Sequence, residues 1–352
     1  MKQLITSSRS SKMLGCPRAH YWAYEVGLRR AEHAIALRFG SAWARAMDVR
    51  WSGGTAEEAL SAALPEGVDL DALASETIAS LLLGYYQVYG QQDTLVKQCY
   101  PEIEFKTDLA RSRSFYSAGK IDGLCQLMDG RIAEIEHKTT SDSVADDSAY
   151  WIRLRFNPQI LQYAFEARRL GWQIEVAIYD VTRKPSIGPK QIPVLDENGA
   201  KIVKDADGNR VFKKDGNPRE SGDSEKGYTL QTEEETPEQF GQRLFEDVQA
   251  RPEFYFARRE IPILEQDLDE YVAQRLSVTR MILGCRSEEV RAKRPEQAWP
   301  RNIGKTCDYC EYSSFCLQNI NPDLNQPPAG FVVGPTNPEL TDADPTRTTP
   351  TH

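Results

Sequence analysis

Asp122, Glu136 and Lys138 are the residues of this chain best placed to do hydrolytic chemistry together. Gly119-Lys-Ile-Asp122-Gly-Leu is followed by Ala133-Glu-Ile-Glu136-His137-Lys138-Thr-Thr. Glu136 and Lys138 are two apart, so on a strand both project from one face. Two carboxylates can hold a hard divalent cation, Mg2+ or Mn2+, through oxygen ligands. Such a cation polarises a phosphodiester and helps a water to ionise. A neighbouring lysine can orient that water or stabilise negative charge in the transition state. Short motifs recur by chance, and a surface salt bridge between Glu136 and Lys138 is the plainer reading of the triplet alone.

Strand parity sets a condition on this site. A two-residue turn at Asp129-Gly130 would pair Asp122 with His137 and turn it away from Glu136. A three-residue turn, Met128-Asp129-Gly130 with glycine left-handed, pairs Asp122 with Glu136. The site requires that turn or an equivalent bulge.

The second constellation is sulfur. The seven cysteines are 16, 99, 125, 285, 307, 310 and 316. An odd count argues against a disulfide framework. Cys307, Cys310 and Cys316 give three thiolates on a short loop, and no second nearby pair follows. The fourth ligand must come from afar, and Cys16 in Leu14-Gly-Cys16-Pro17 is the best candidate. Four thiolates suit either a 4Fe–4S cluster or zinc. Cys99, Cys125 and Cys285 read as ordinary buried residues.

These groups need elements to position them. Residues 1–94 read as an N-terminal helical region carrying Cys16. Thr55 and Glu58 form a capping box, and Asp69 is expected to cap a helix ending near Tyr89. Residues 95–183 read as the core: three strands, a helix, then a strand over 172–182. Asn157-Pro158 starts that helix. Gln159 and Tyr163, four apart, share one of its faces. The order predicts a mixed α/β domain. Residues 184–235 read as a charged insertion of hairpins or mobile loop. Its Asp205, Asp207, Asn209 fragment lacks the glycine and glutamate of a calcium loop. Residues 236–320 read as a helical, cysteine-bearing region and 321–352 as a disordered tail.

With 40% hydrophobic and 27% charged residues, a soluble globular core is expected. No run of about eighteen apolar residues exists, so no membrane span is expected. Without a signal-like N-terminus the expected location is cytoplasmic. The net charge of -9 looks wrong for a DNA binder. Much of it is local, since residues 196–238 carry 12 acidic and 7 basic side chains. Phosphate binding follows the local field rather than the total. Trp22, Tyr24, Trp43 and Trp151 are weak candidates for base stacking, and core packing is the plainer role for each.

The ordered motifs Gly-x-x-Asp122, Glu136-x-Lys138-Thr and Gln159-x-x-x-Tyr163 resemble those of RecB-like PD-(D/E)XK nucleases. Cys16 before proline and an aromatic run, with the C-terminal trio, resembles the iron–sulfur branch of that family. That branch includes helicase–nuclease subunits, and nucleases of recombination and CRISPR adaptation. The resemblance implies a restriction-endonuclease-like mixed sheet flanked by helices, with an iron–sulfur subdomain. It implies Asp122, Glu136 and the His137 carbonyl as metal ligands and Lys138 as the catalytic lysine. Gln159 and Tyr163 would organise DNA and catalytic groups. It implies a deoxyribonuclease, most simply an exonuclease on single-stranded or frayed ends, with a nuclease-like DNA-binding scaffold as the rival. It tips the sulfur site towards 4Fe–4S, held by Cys16, Cys307, Cys310 and Cys316. The family's early-helix histidine ligand is replaced here by Ala44, four residues after Gly40. Metal held by fewer side chains, a weakened enzyme and a substituted histidine all account for that.

Overall fold

A computed structural model describes residues 2–32, 35–320, 322–337 and 340. The helices are α1 (Ser7–Gly15), α2 (Pro17–His20), α3 (Ile35–Trp51), α4 (Ala56–Ala63), α5 (Ala72–Tyr89), α6 (Ala149–Arg155), α7 (Pro158–Arg169), α8 (Pro237–Ala250), α9 (Pro252–Tyr255), α10 (Glu265–Ala292), α11 (Pro295–Ala298) and α12 (Ser313–Cys316). The strands are β1 (Gln3–Ile5), β2 (Leu28–Arg30), β3 (Val96–Asp108), β4 (Phe115–Leu127), β5 (Ile132–Thr140), β6 (Ile174–Arg183), β7 (Gln191–Pro193), β8 (Val203–Lys204), β9 (Thr229–Leu230), β10 (Thr232–Glu234), β11 (Phe256–Pro262) and β12 (Phe331–Val333).

Local chemistry explains where these elements start. Thr6 caps α1, its side chain accepting from Arg9 N–H. The Thr55–Glu58 capping box opens α4. Asp71, rather than Asp69, caps α5 by accepting from Ala74 N–H. Asn157 caps α7 and Pro158 fills its first position, where no N–H is needed. The three-residue turn at 128–130 closes the β4–β5 hairpin. Leu127 N–H bonds Arg131 O at 2.9 Å, and Gly130 takes φ +94°.

Six strands form one mixed sheet in the order β1-β4-β5-β6-β11, with β3 paired to β4. β3 runs along one edge of β4. The other edge is shared: β5 pairs antiparallel with Gly123–Gln126, and β1 pairs parallel with Phe115–Ser117. Between those two stretches β4 has no strand on that side among the described residues. β5 and β6 are parallel, joined by α6 and α7. One sheet face buries Trp43, Met47, Leu81 and Phe240 from α3, α5 and α8. The other buries Ile160, Tyr163 and Ala164 of α7 with Leu268 and Tyr271 of α10. Trp22, Tyr24, Trp43 and Trp151 are all buried, so they serve packing and not base stacking.

Two sequence expectations need correction. Cys99 and Cys125 are not independent buried thiols; they face each other across β3 and β4 as a disulfide. The tail is not structureless from residue 321, because β12 pairs antiparallel with β2. The remainder of that tail, 341–352, lies outside the described residues. The longest helix, α10, runs from Glu265 to Ala292. Within the insertion, the turns at Asp196–Gly199, Asp205–Gly208 and Lys213–Gly216 each end on a left-handed glycine. They make a ribbon of tight hairpins. Among the described residues no helix is long and apolar enough to cross a membrane.

Candidate active site

The register of the hairpin places Asp122 opposite Glu136, one step beyond the last paired residues, Gly123 and Ile135. There the two strands part. Asp122 bridges the opening: its Oδ2 accepts from His137 N–H at 3.0 Å. Glu136 is 1% exposed, and its Oε2 has no hydrogen-bond partner among the described residues. Lys138 stands one pleat on, on the same face, and bonds Glu136 Oε1. Its Nζ also reaches Gln159 Oε1 at 3.1 Å, and Gln159 Nε2 donates to Tyr163 Oη at 3.0 Å. α7 therefore props the lysine from above the sheet. The approach of α7 depends on Gly119: a Cβ there would lie 2.7 Å from Phe105 Cζ and 3.1 Å from Tyr163 Cε1.

Electrostatics follows from burial. The Glu136 carboxyl is pushed up to about 7 by burial and by Asp122, against the pull of Lys138. Glu134, one pleat earlier, is buried with both oxygens unpartnered, and burial, Glu136 and Asp122 raise it well above the usual range. Lys138 is raised despite burial, because Glu136 and Asp122 favour its charge. This is a pocket of excess negative charge that a divalent cation would neutralise. The unpartnered oxygen of Glu136 and the carboxylate chemistry fit such an ion. Among the described residues no three His, Cys, Asp or Glu side chains are already gathered around one point.

The His137 side chain turns to the opposite face. Its Nδ1 lies 3.1 Å from Asp180 Oδ2, and its ring is 5.8 Å from Trp51. Burial alone would raise Asp180, but Arg258, His137 and Tyr85 hold it well below the carboxylate range. His137 is thus tied into a structural network, and only its backbone faces Asp122.

Ala44 is exposed on α3. Gly40, one turn before it, approaches β5: a Cβ there would sit 3.9 Å from Thr139 Oγ1. Asp48, one turn after it, shares a hydrogen bond with Glu102 and feels the charges of Lys120 and His137. Positions 40, 44 and 48 form one helix stripe, with Gly40 beside Thr139 and Asp48 beside Glu102 on the two flanking turns. Burial and Glu102 raise Asp48 to about 7. Glu102 lies in register with Asp122 on the neighbouring strand, with φ +53°, and bonds Lys120. Asp48 and Glu102 were not singled out from sequence, although the i+4 spacing from Ala44 was a usable signal for Asp48.

At the other end of the molecule, Cys16, Cys307, Cys310 and Cys316 border one small cavity. Cys16 ends α1 in an extended conformation, and Pro17 begins α2. Asn302 N–H points at Cys16 Sγ from 3.5 Å. Arg18 donates to Trp299 O at 2.8 Å and to Glu296 O at 2.7 Å, tying the N-terminal segment to residues 295–300. Its charge also senses Cys16 and Cys316. Trp22, Tyr312 and Phe315 pack beside these thiols.

The family model described as the PD-(D/E)XK nuclease superfamily matches residues 5–317. The chain belongs to the PD-(D/E)XK nuclease superfamily. Its members are generally nucleases and typically use Mg2+ or Mn2+. No curated protein matches the sequence. Among solved structures, that of SSO0001 is 11% identical, covering 91% of this chain and 89% of its own, with a TM-score of 0.32.

Proposed function

We propose that this superfamily member is a Mg2+- or Mn2+-dependent deoxyribonuclease of the RecB-like, iron–sulfur branch. It acts as an exonuclease on single-stranded or frayed DNA ends, in the cytoplasm, alongside a helicase, recombination or CRISPR-adaptation partner. One observation carries the reading: Asp122 and Glu136 meet on one sheet face at a strand fork, with Lys138 bonded to Glu136. Asp122, Glu136 and the His137 carbonyl would hold the cation, which supplies positive charge to the phosphodiester and acidifies an attacking water. Lys138 offers an N–H donor and a positive charge beside the scissile phosphate. Gln159 and Tyr163 hold that lysine in place from α7.

The cavity bordered by four cysteines favours a 4Fe–4S cluster, with zinc as the alternative. The exposed Ala44, where a ligand would stand, favours a second reading, a DNA-binding scaffold with weakened catalysis. The test is anaerobic purification followed by digestion of end-labelled single and double strands with Mn2+. Cleavage of single-stranded ends that is lost in Lys138→Ala supports the nuclease. Binding without cleavage in the wild type supports the scaffold. Iron with absorption near 400 nm supports the cluster, and a colourless zinc protein refutes it.

A further inference from the structure

We propose that a groove between the cysteine-bearing end and α3 is the track for a single DNA strand running to the strand fork. The proposal rests on the nuclease reading for its direction, but not for its existence. Lys12, Arg29, Arg30, Leu37, Arg38 and Tyr309 line the groove. Glu32 and Glu311 also border it, so four cations face two carboxylates in a chain whose net charge is -9. Lys12 pairs with Glu311, and Arg38 with Asp69. Arg29 differs: its hydrogen bonds go to the carbonyl oxygens of Ala23, Pro335 and Thr336. No carboxylate pairs with Arg30 among the described residues, and Arg30 is exposed. Adjacent arginines without carboxylates are a polyanion site in an otherwise acidic protein.

The aromatic decides between single and double strands. Tyr309 is 93% exposed and stands between two cavity cysteines. An exposed ring beside cations stacks on unpaired bases, whose faces are open, whereas duplex bases cover one another. The path also leads somewhere. Leu37, Ser41 and Ala44 are exposed on one stripe of α3, spaced by four and three residues. From Leu37 to Ala44 the helix rises about 10 Å, ending between Gly40, beside Thr139, and Asp48, beside Glu102. A strand laid in the groove thus has an open helix face to follow towards Asp122 and Glu136. Because Cys16, Cys307 and Cys310 border both the groove and the small cavity, one groove wall is the outer side of the sulfur site.

The test reads binding, with cleavage blocked by EDTA. Fluorescein-labelled dT20 is titrated with the anaerobically purified full chain, and anisotropy is followed at several salt concentrations. The double variant Arg29→Glu/Arg30→Glu should weaken binding at least about tenfold. If those arginines meet two phosphates, the slope of log affinity on log salt should fall by about 1.4. Tyr309→Ala should weaken binding by about fivefold or more, as expected for one lost stacking contact. Iron content and circular dichroism establish that the variants are folded. A bromodeoxyuridine-substituted strand, crosslinked to the unaltered protein, should label the peptide carrying Tyr309. Wild-type affinity in folded variants, crosslinks confined to other surfaces, or tighter binding of a duplex of equal length would each overturn the proposal. The nuclease reading fails separately: a protein that binds dT20 through the groove but cuts nothing with Mn2+ keeps the track and loses the catalysis.

Discussion

Asp122 Oδ2 accepts a hydrogen bond from the backbone N–H of His137 at 3.0 Å, across the point where β4 and β5 separate. The aspartate side chain thus takes the place of the next ladder bond. It holds the fork at a fixed width and keeps its own carboxylate beside Glu136. The same contact aims the His137 peptide at the site while its imidazole is held by Asp180 on the other face.

Gly119→Ala should disturb this arrangement from behind. The added methyl would press on the rings of Phe105 and Tyr163. Overpacking of this kind costs about 1–3 kcal/mol. Urea denaturation should show that loss, and Gln159 should lose its bond to a displaced Tyr163. Unchanged stability and unchanged turnover would mean that α7 does not need its close seat on β4.

Stability of the metal-free protein should fall as pH rises through the window from about 4.5 to about 7. Glu136 and Asp48 sit near 7 when folded, against ordinary values of 4.5 and 3.8. In that window these two carboxyls keep protons that the unfolded chain has lost. His20, lowered to about 3 by burial, opposes them below 6.5, but two groups outweigh one and the slope of stability on pH is negative. Asp180, depressed when folded, acts the other way, but only below its ordinary value of 3.8. Saturating Mg2+ should flatten the fall, because a cation takes the place of the protons. The check is Tm at pH 5, 6, 7 and 8 with and without Mg2+. A metal-free Tm that climbs across this range would contradict the buried-acid picture.

Ala44→His should strengthen metal binding. The position is exposed, on a helix stripe with Gly40 and Asp48. Imidazole is a good ligand for Mn2+-type ions and a methyl is none. A gain of about tenfold in Mn2+ affinity, some 1.4 kcal/mol, is expected by calorimetry. Equal affinity in a folded variant that keeps its iron would show that the imidazole cannot reach the ion.

Much of the site was legible because local rules fix it. Glu136 and Lys138 share a face by strand parity, and Gln159 and Tyr163 share one by helical spacing. The turn length was not legible: the sequence left two-residue and three-residue turns open, and the structure has the three-residue one with Gly130 left-handed. What was hidden depends on docking. Asp48 joins Glu102 only because α3 lies against the fork, and Glu102 does so through an unusual φ. Nothing local announces that β1 returns parallel to β4, or that β12 pairs with β2. The Cys99–Cys125 pairing needed the β3–β4 register, which no turn signal supplied.

Cys16→Ser should cost iron, colour and stability together. Cys16 and the C-terminal trio border one cavity from opposite ends of the chain. The protein part of that junction is built already: Arg18 grips the 295–300 segment, and Tyr312 Oη donates to Leu28 O at 2.9 Å. Thiolates are the right donors for iron, and the nearby Arg18 would balance a cluster's negative charge. Binding at a junction that closes almost the whole chain adds its free energy to folding. A serine oxygen is a poor substitute for sulfur, so the cluster should be lost or labile. The tyrosine that stacks on DNA in our proposal lies inside the cysteine loop, so dT20 affinity should fall with the iron. Cys285→Ser, well away from the cavity lining, should keep full iron and bind dT20 normally. Iron per chain, absorbance near 400 nm and dT20 anisotropy, measured on both variants purified without oxygen, decide the matter. Full iron in Cys16→Ser would remove Cys16 from the cluster.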